Sequence, residues 1–280
     1  MRIKISADST CDLPSGLLDD YEISTVPYTI TLGDDAYLDG VNIKPGDIFR
    51  FVDETGKLPG TAAPAPESYR EKFELWAEQN ETVVHIGMGE NFSSGLRNAR
   101  IAAAEYPNVY VVDSENLSAG YGLLVLEAAM LAKTSITPQE LVEKVASLAP
   151  RINVSFVLSR LDYMRKGGRC TMVEMLGANL LKIKPVLEVR NGKLVMAKKY
   201  RGNYEKVLKD YVADCLKGRD DILLHRMFVA DACEDDELTL LLEDEVRKYA
   251  EFEEIYHAKG GCTVSSHCGR PCAGIMYITK

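Results

Sequence analysis

The chain has 280 residues, of which 46% are hydrophobic and 27% are charged, and its formal net charge is -9. A chain of this length can bury a full hydrophobic core in two modest domains or one large one, and the mixed composition excludes an intrinsically disordered protein. The acidic balance argues against nucleic acid as the main partner, because contacts to phosphates need a basic surface.

No targeting or membrane segment is evident. The first residues, Met1–Ile5, run directly to Asp8 without a basic stretch followed by an apolar one, and no apolar run approaches the roughly 20 residues needed to span a bilayer. The seven cysteines are scattered and odd in number, which fits reduced thiols better than a disulfide framework. We therefore expect a cytoplasmic protein.

The N-terminal segments predict a strand, a short helix and a hairpin. Ile3–Ala7 alternates like a first strand and ends at a polar cluster that begins with Asp8 and Ser9. Residues 23–32 are typical of a strand, and a turn then leads to a return strand at Tyr37–Val41. Asp8 and Ser9 are either turn and cap residues or part of a site at the end of the first strand.

Thr61 lies in a segment that predicts a stiff loop, residues 60–66, between two helices. Two prolines follow Thr61, remove backbone donors and restrict the chain, so this loop could hold the threonine hydroxyl in a fixed place. A lone threonine is more often a loop residue with no role. In the helix that follows, Tyr69, Phe73 and Trp76 recur at helical spacing, which predicts core residues.

The segment Asn91–Arg100 follows an apolar strand and leads into an Ala-rich helix. Ser93 or Ser94 is a natural N-cap, and Gly95 follows the serine pair. The free amides of a first helical turn carry partial positive charge that suits an anion. The serine pair either caps an ordinary helix or helps to bind an acidic ligand.

The order of strand, polar turn and helix recurs. Val109–Ser114 predicts another buried strand, and Ser118 opens a long apolar helix. This order predicts a parallel sheet with helices on its faces and functional loops along one edge. A capping box at Thr137–Glu140 starts a helix that ends near Pro150, where we place a domain boundary between residues 1–150 and 151–280.

The second half begins with a predicted strand at Asn153–Leu158. Two glycines between Lys166 and Arg169 would leave these cations close together and projecting, either toward a partner or in a solvated loop. A strand over residues 180–189 then leads to Asn191-Gly192, which predicts a type I′ hairpin.

The last part of the chain predicts helices and strands in alternation. A helix from Asn203, a strand at Met227–Asp231 and an acidic helix from Glu234 precede a short strand near residue 255. His267 is predicted to lie in a Gly- and Pro-containing loop before a terminal strand, Met276–Ile278.

Seven short motifs resemble the DegV family in order and spacing, and together they cover essentially the whole chain. They are Asp8-Ser9 with Asp12-Leu13, the Thr61 loop, Ser93-Ser94-Gly95, Val112-Asp113-Ser114, Leu161-x-Tyr163-x-x-Lys166-Gly167-Gly168-Arg169, Ile183-Lys184-Pro185 and His267-x-Gly269. Any one of these motifs is weak, but seven in register are hard to obtain by chance.

The resemblance implies a two-domain α/β fold, with a mostly parallel sheet flanked by helices in residues 1–150 and a mixed α/β domain in residues 151–280. It implies a lipid-binding protein similar to the FakB component of bacterial fatty acid kinase, with a long-chain fatty acid in an apolar tunnel between the domains. A separate ATP-dependent kinase subunit would phosphorylate the bound carboxylate, so the chain itself would be neither an enzyme nor a cofactor-binding protein. Transient contact with a membrane surface is compatible with this role.

The resemblance also assigns residues. Thr61, the Ser93–Gly95 turn and His267 would gather around the fatty acid carboxylate. Arg169 would lie near the tunnel mouth, where it would meet the kinase subunit or the phosphate in transfer.

Two other interpretations remain open. A hydrolase could use Ser94 as nucleophile, His267 as base and Asp8 or Asp113 behind it, although the Gly-x-Ser-x-Gly elbow is absent. A metal or redox site could use the cysteines and the histidine near the C-terminus, although their spacing is not that of paired zinc knuckles. Its ligands would be Cys262, His267, Cys268 and Cys272. A Rossmann-type nucleotide site is weaker still, because no Gly-x-Gly-x-x-Gly follows the first strand.

Overall fold

The computed structural model describes residues 2–80, 82–166 and 183–280 as a mixed α/β protein. The helices are α1 (Ser15–Asp20), α2 (Pro45–Thr55), α3 (Pro66–Gln79), α4 (Gly95–Ala103), α5 (Ser118–Ala132), α6 (Pro138–Leu148), α7 (Asp162–Lys166), α8 (Tyr204–Leu216), α9 (Glu237–Val246) and α10 (Cys262–Cys268). The strands are β1 (Ile3–Asp8), β2 (Ser24–Val26), β3 (Thr29–Leu32), β4 (Asp35–Leu38), β5 (Gly60–Ala62), β6 (Thr82–Gly87), β7 (Val109–Asp113), β8 (Ile152–Leu158), β9 (Ile183–Arg190), β10 (Lys193–Arg201), β11 (Ile222–Asp231), β12 (Glu254–Lys259) and β13 (Cys272–Thr279).

The first sheet is parallel and has the order β2-β1-β6-β7. Ser6 of β1 lies opposite Ser24 on one side and His85 on the other. The chain leaves β1 toward β2 in one direction and reaches β6 and β7 in the other, so the order reverses between β1 and β6. In open α/β sheets a ligand binds at the carboxyl ends of the strands beside such a reversal. The expected parallel sheet is therefore confirmed, and the residues that follow Asp8 and Gly87 lie at its carboxyl edge.

A small antiparallel sheet, β4-β3-β5, stands beside the parallel one. The single strand predicted over residues 23–32 is divided at Pro27, because proline has no N–H for a ladder and a fixed φ. β2 therefore ends in the parallel sheet, and β3 starts a different one. The stiff loop predicted at 60–66 is also wrong in part, since β5 pairs with β3 and places Thr61 opposite Ile30.

The second large sheet is mixed and has the order β10-β9-β8-β13-β11-β12. Its strands follow residue 150, whereas the strands of the other two sheets precede it. The hairpin predicted at Asn191-Gly192 is confirmed, because both residues have left-handed φ angles, 51° and 65°, between β9 and β10. The part of the predicted strand at residues 180–182 lies outside the described residues.

Helix α5 is the central packing element. Residues along its whole length are buried, as expected for a helix that is apolar all round. It packs against β1 of the first sheet and against β8, β11 and β13 of the second. Gly120 meets Val154 of β8, and Gly122 meets the Cys11 carbonyl, so closely that a methyl group at either glycine would overlap its neighbour. Among the described residues no helix is long and apolar enough to cross a membrane.

We expect Gly122→Ala to lower the free energy of unfolding by about 1–3 kcal/mol, because the added methyl group would press on the Cys11 backbone rather than on a flexible side chain. Urea denaturation measures this change. Gly16→Ala in the exposed helix α1 is the matched control, since no atom lies within 4 Å of the added methyl, and it should be neutral or slightly stabilising. Equal losses in both variants would contradict the close approach at Gly122.

Candidate functional site

The C-terminal helix α10 begins against two buried carboxylates from the first half of the chain. Asp39 accepts hydrogen bonds from the Cys262 amide at 2.9 Å, the Thr263 amide at 3.0 Å and the Thr263 hydroxyl at 2.6 Å. Asp12 accepts from the Gly261 amide at 2.9 Å. The amides of a first helical turn have no intrahelical partner, and the oxygens of Asp39 and Asp12 supply the acceptors that they lack. These bonds fix α10 to the N-terminal half.

His267 lies in the last turn of α10, and the sequence-based expectation of a loop is wrong at this point. No glycine or proline interrupts Cys262–Cys268, and the capping carboxylates supply the tertiary support that such a short helix needs. Gly269 ends the helix at a φ of 66°. A Cβ at Gly269 would lie 2.6 Å from the Tyr163 ring, so only glycine fits both the backbone angle and the space.

Thr61 and His267 meet although they are far apart in the chain. The Thr61 hydroxyl lies 2.9 Å from His267 Nε2, and both residues are partly buried. Thr61 stands on β5 and His267 on α10, so the pair joins the two halves of the chain. If the His267 Nε2 proton is donated to the Thr61 oxygen, the threonine hydroxyl proton is free to bind an anion.

The Ser93–Gly95 turn forms a second group of donors at the start of α4. The Ser93 hydroxyl lies 2.7 Å from the Tyr28 hydroxyl and accepts a hydrogen bond from the Gly95 amide at 3.1 Å. Ser94 is exposed, and its side chain makes no capping hydrogen bond. A methyl group at Gly95 would overlap the Tyr28 hydroxyl and lie 3.0 Å from the Tyr69 hydroxyl. Gly95 therefore allows two phenols to approach the turn.

Two connections bring the Ser93 turn and the Thr61 strand to the same region. Tyr28, the partner of the turn, stands two residues before Ile30, which pairs with Thr61. Asn98 of α4 also donates a hydrogen bond to the Pro64 carbonyl, just beyond Thr61, at 2.8 Å. The Ser93 turn follows strand β6 of the parallel sheet and Thr61 stands on the small antiparallel sheet, and these two connections bring the two sheets together.

A buried polar network lies behind these donors. Asp8 accepts from the Tyr69 hydroxyl at 2.6 Å and from the Met88 amide at 3.2 Å, and its Oδ1 lies 3.6 Å from His85 Nε2. His85 Nδ1 is 3.1 Å from the Ser6 hydroxyl. Burial and then the nearby charge of Asp8 raise the pKa of Tyr69. The network supplies hydrogen bonds to the buried Asp8 side chain, and the raised pKa keeps the Tyr69 phenol protonated.

An apolar cavity of about 30 Å³ lies next to α10. Its lining comes from the start of α5, from β8, β11 and β13, and from Val264 and Cys268 of α10. Val264 and Cys268 are four residues apart and so share a face of the helix, whereas His267 projects elsewhere.

The contacts of the proposed triad residues do not favour a serine hydrolase. Asp8 makes its hydrogen bonds with Tyr69 and Met88, and Asp113 accepts from the Glu115 amide at 2.8 Å. His267 Nε2 lies 2.9 Å from the Thr61 hydroxyl, a contact that the proposed triad does not include.

The alternative of a Cys/His metal site is wrong for the part of the chain that the structure describes. Within residues 2–80, 82–166 and 183–280, no three or more His, Cys, Asp or Glu side chains are placed to hold a metal ion. Cys262 donates to the Ile43 carbonyl, and Cys268 and Cys272 line the apolar cavity. His267 and Cys268 are consecutive on a helix and therefore project in different directions.

Arg169 lies outside the described residues, as do Gly167 and Gly168, so its position near a tunnel mouth stays a prediction.

Two residues of the site region, Asp39 and Tyr28, were not identified from the sequence. Asp39 was predicted to lie in the return strand of a hairpin, and Tyr28 in the single strand predicted over residues 23–32. A division of that strand at Pro27 would have placed Tyr28 at the carboxyl edge of the sheet.

A family model, a related sequence and a solved structure all match the chain over essentially its whole length. The model of the DegV family matches residues 2–280. A DegV domain-containing protein of Clostridium acetobutylicum is 30% identical over 281 residues, which cover 100% of this chain and 99% of that protein. The structure of a DegV family protein from Thermus thermophilus, described as fatty acid binding, superposes with a TM-score of 0.90 at 27% identity and 100% coverage of both chains.

The fatty acid kinase B3 protein of Streptococcus pneumoniae, solved loaded with linoleic acid, also has this fold. Its TM-score is 0.83 at 20% identity, and all of both chains is covered. At this identity the comparison shows a shared fold alone.

We expect Asp12→Asn to flatten the pH dependence of stability. Burial first, and also the nearby Asp39 carboxylate, raise the pKa of Asp12 to about 8, while a hydrogen bond from Ser118 lowers it. Between the ordinary carboxyl pKa and 8 the folded state holds a proton that the unfolded chain has released, so stability falls as pH rises, by on the order of 1 kcal/mol per pH unit.

Urea denaturation at several values between pH 5 and pH 8 measures this slope. Asparagine can still accept from the Gly261 amide but cannot ionise, so the variant should lose less stability than the wild type over that range. Parallel curves for the two proteins would show that Asp12 ionises in the folded protein as it does in the unfolded one.

Proposed function

Because the chain belongs to the DegV family, we propose that it binds a long-chain fatty acid with the carboxylate beside Thr61, His267 and the Ser93–Gly95 turn. The observation that carries this proposal is the 2.9 Å contact between Thr61 and His267, which joins the two halves of the chain. The Thermus thermophilus relative described as fatty acid binding supports the ligand class.

The donor set suits a carboxylate that has left water. A buried carboxylate loses its hydration and needs several hydrogen bonds in exchange. The hydroxyl of Ser93, the hydroxyl of Thr61 held by the His267 imidazole, and the first-turn amides of α4 beyond Gly95 would supply the donors. The exposed Ser94 hydroxyl would donate to the ligand carboxylate from the outer side of the turn.

The acyl chain would lie between the units formed by residues 1–150 and 151–280, along the apolar face of α10 that carries Val264 and Cys268. The cavity of about 30 Å³ is too small for an acyl chain, so the lining side chains would move when the ligand enters. Burial contributes roughly 0.8 kcal/mol per methylene, or on the order of 10 kcal/mol for a long chain before entropy costs. Long chains should therefore bind better than short ones.

The same proposal gives the chain no catalytic cycle of its own. It would present the carboxylate to a separate ATP-dependent kinase subunit in the cytoplasm, and it would contact a membrane surface transiently to exchange its ligand. The resemblance of the Lys166–Arg169 motif to the DegV family pattern supports presentation to a kinase. In this proposal Arg169 faces the kinase subunit or the transferred phosphate.

We expect the purified wild-type protein to hold a long-chain fatty acid near one per chain, and Thr61→Val to hold at most about a tenth of it, since one hydrogen bond to a charged group is worth about 1.5–3 kcal/mol. Denaturing mass spectrometry of the organic extract, followed by titration with oleic acid, measures both quantities.

Thr61→Ser is the matched control, because it keeps the hydroxyl that Thr61→Val removes while valine keeps the shape. Retention by Thr61→Ser together with loss by Thr61→Val would support the carboxylate site. A wild-type protein that neither carries nor binds any long-chain fatty acid would refute the proposed function.

We expect Arg169→Ala to retain fatty acid but to lower the rate of acyl phosphate formation with the kinase subunit by at least tenfold, because a charged contact to the partner or the phosphate would be lost. Steady-state assays with labelled ATP measure the rate. Arg201→Ala, which removes an exposed arginine at the end of β10, is the control. An empty pocket in Arg169→Ala would contradict the partner-facing role.

A further inference from the structure

We infer that Tyr28 is a positioning residue, whose phenol holds the Ser93 hydroxyl so that the serine proton points to the ligand carboxylate. The inference rests on the proposed function, and it adds a residue that touches no ligand but sets the direction of one donor. Three observations carry it: the hydrogen bonds at Ser93, the surroundings of the phenol and the crowding at Gly95.

The hydrogen bonds at Ser93 limit where its proton can go. A serine hydroxyl has one proton and two acceptor lone pairs. The Gly95 amide donates to Ser93 Oγ at 3.1 Å and occupies one lone pair. The Tyr28 hydroxyl lies 2.7 Å from the same oxygen, and either oxygen can be the donor in that bond. If Tyr28 donates, both lone pairs are used and the serine proton must point in a third direction.

The surroundings of Tyr28 make it the donor. Burial and then the charge of Asp8 raise the pKa of Tyr28, so its proton stays on the phenol. Both oxygens of Asp8 already accept hydrogen bonds, one from Tyr69 and the other from the Met88 amide. A phenol is also a stronger donor and a weaker acceptor than an aliphatic hydroxyl. The Tyr28 proton therefore goes to Ser93.

The crowding at Gly95 fixes the phenol. A methyl group at this position would overlap the Tyr28 hydroxyl, so the absence of a side chain lets the phenol reach the turn. The bond from Tyr28 to Ser93 and a bond from Ser93 to a carboxylate would then run in one direction. Hydrogen bonds arranged in such a chain polarise and strengthen one another. Tyr28 would increase the affinity for the anion without contacting it.

A double-mutant cycle tests this role. The proteins are the wild type, Tyr28→Phe, Ser93→Ala and the double variant, stripped of lipid and titrated with oleic acid. We expect each single variant to bind about fivefold to tenfold more weakly, the effect of one lost hydrogen bond. The double variant should bind as Ser93→Ala does, because Tyr28 acts only through the serine.

Tyr211→Phe is the control for the loss of a buried tyrosine hydroxyl. Tyr211 makes a similar pair with Ser155, at 2.8 Å, in the second half of the chain. This variant should lower the free energy of unfolding in urea but leave the affinity for oleic acid unchanged. Urea curves for every variant show which proteins are folded at the titration temperature.

The outcomes separate the two proposals. If the losses of Tyr28→Phe and Ser93→Ala multiply in the double variant, Tyr28 does not act through Ser93 and the inference is overturned. The same conclusion follows if Tyr28→Phe binds like the wild type. A wild-type protein that binds no fatty acid would overturn the proposed function, and the inference with it.

Discussion

The site depends first on the capping of α10 by carboxylates from the other half of the chain. Asp39 accepts three hydrogen bonds and Asp12 one at the start of this helix, and both residues are buried. Buried carboxyl groups without hydrogen-bond partners would be unfavourable, and a helix of seven residues would be marginal by itself. The two features therefore stabilise each other. Their result is a fixed position for His267, more than two hundred residues along the chain from the Thr61 hydroxyl that it contacts.

The arrangement of charge around the donors is equally informative. The buried Asp8 accepts hydrogen bonds from the Tyr69 hydroxyl and the Met88 amide. The hydroxyls of Thr61 and Ser93 are not its partners in these bonds. Those hydroxyls, an imidazole and the amides of a helix start form a set of donors that carry no full positive charge when the imidazole is neutral. Such a set can donate hydrogen bonds to an anion.

Helix α10 also separates the polar and apolar parts of the site. His267 meets Thr61, while Val264 and Cys268 line the small cavity against the second sheet. A head group and an acyl chain could thus be bound on neighbouring faces of one short helix. The central helix α5 approaches β8 of the second sheet at Gly120 and the turn after β1 at Gly122, and it thereby packs against both halves of the chain.

The sequence alone determined the elements whose signals are local. The capping box at Thr137, the hairpin at Asn191-Gly192 and the parallel sheet all follow from residues close together in the chain, and the family resemblance pointed to Thr61 and His267. Only the tertiary structure decided that residues 23–32 form two strands, that β5 pairs with β3, that residues 262–268 are helical, and that Tyr28 faces Ser93. These features are short segments with weak intrinsic preference, and their stability comes from partners distant in sequence, which no local pattern contains.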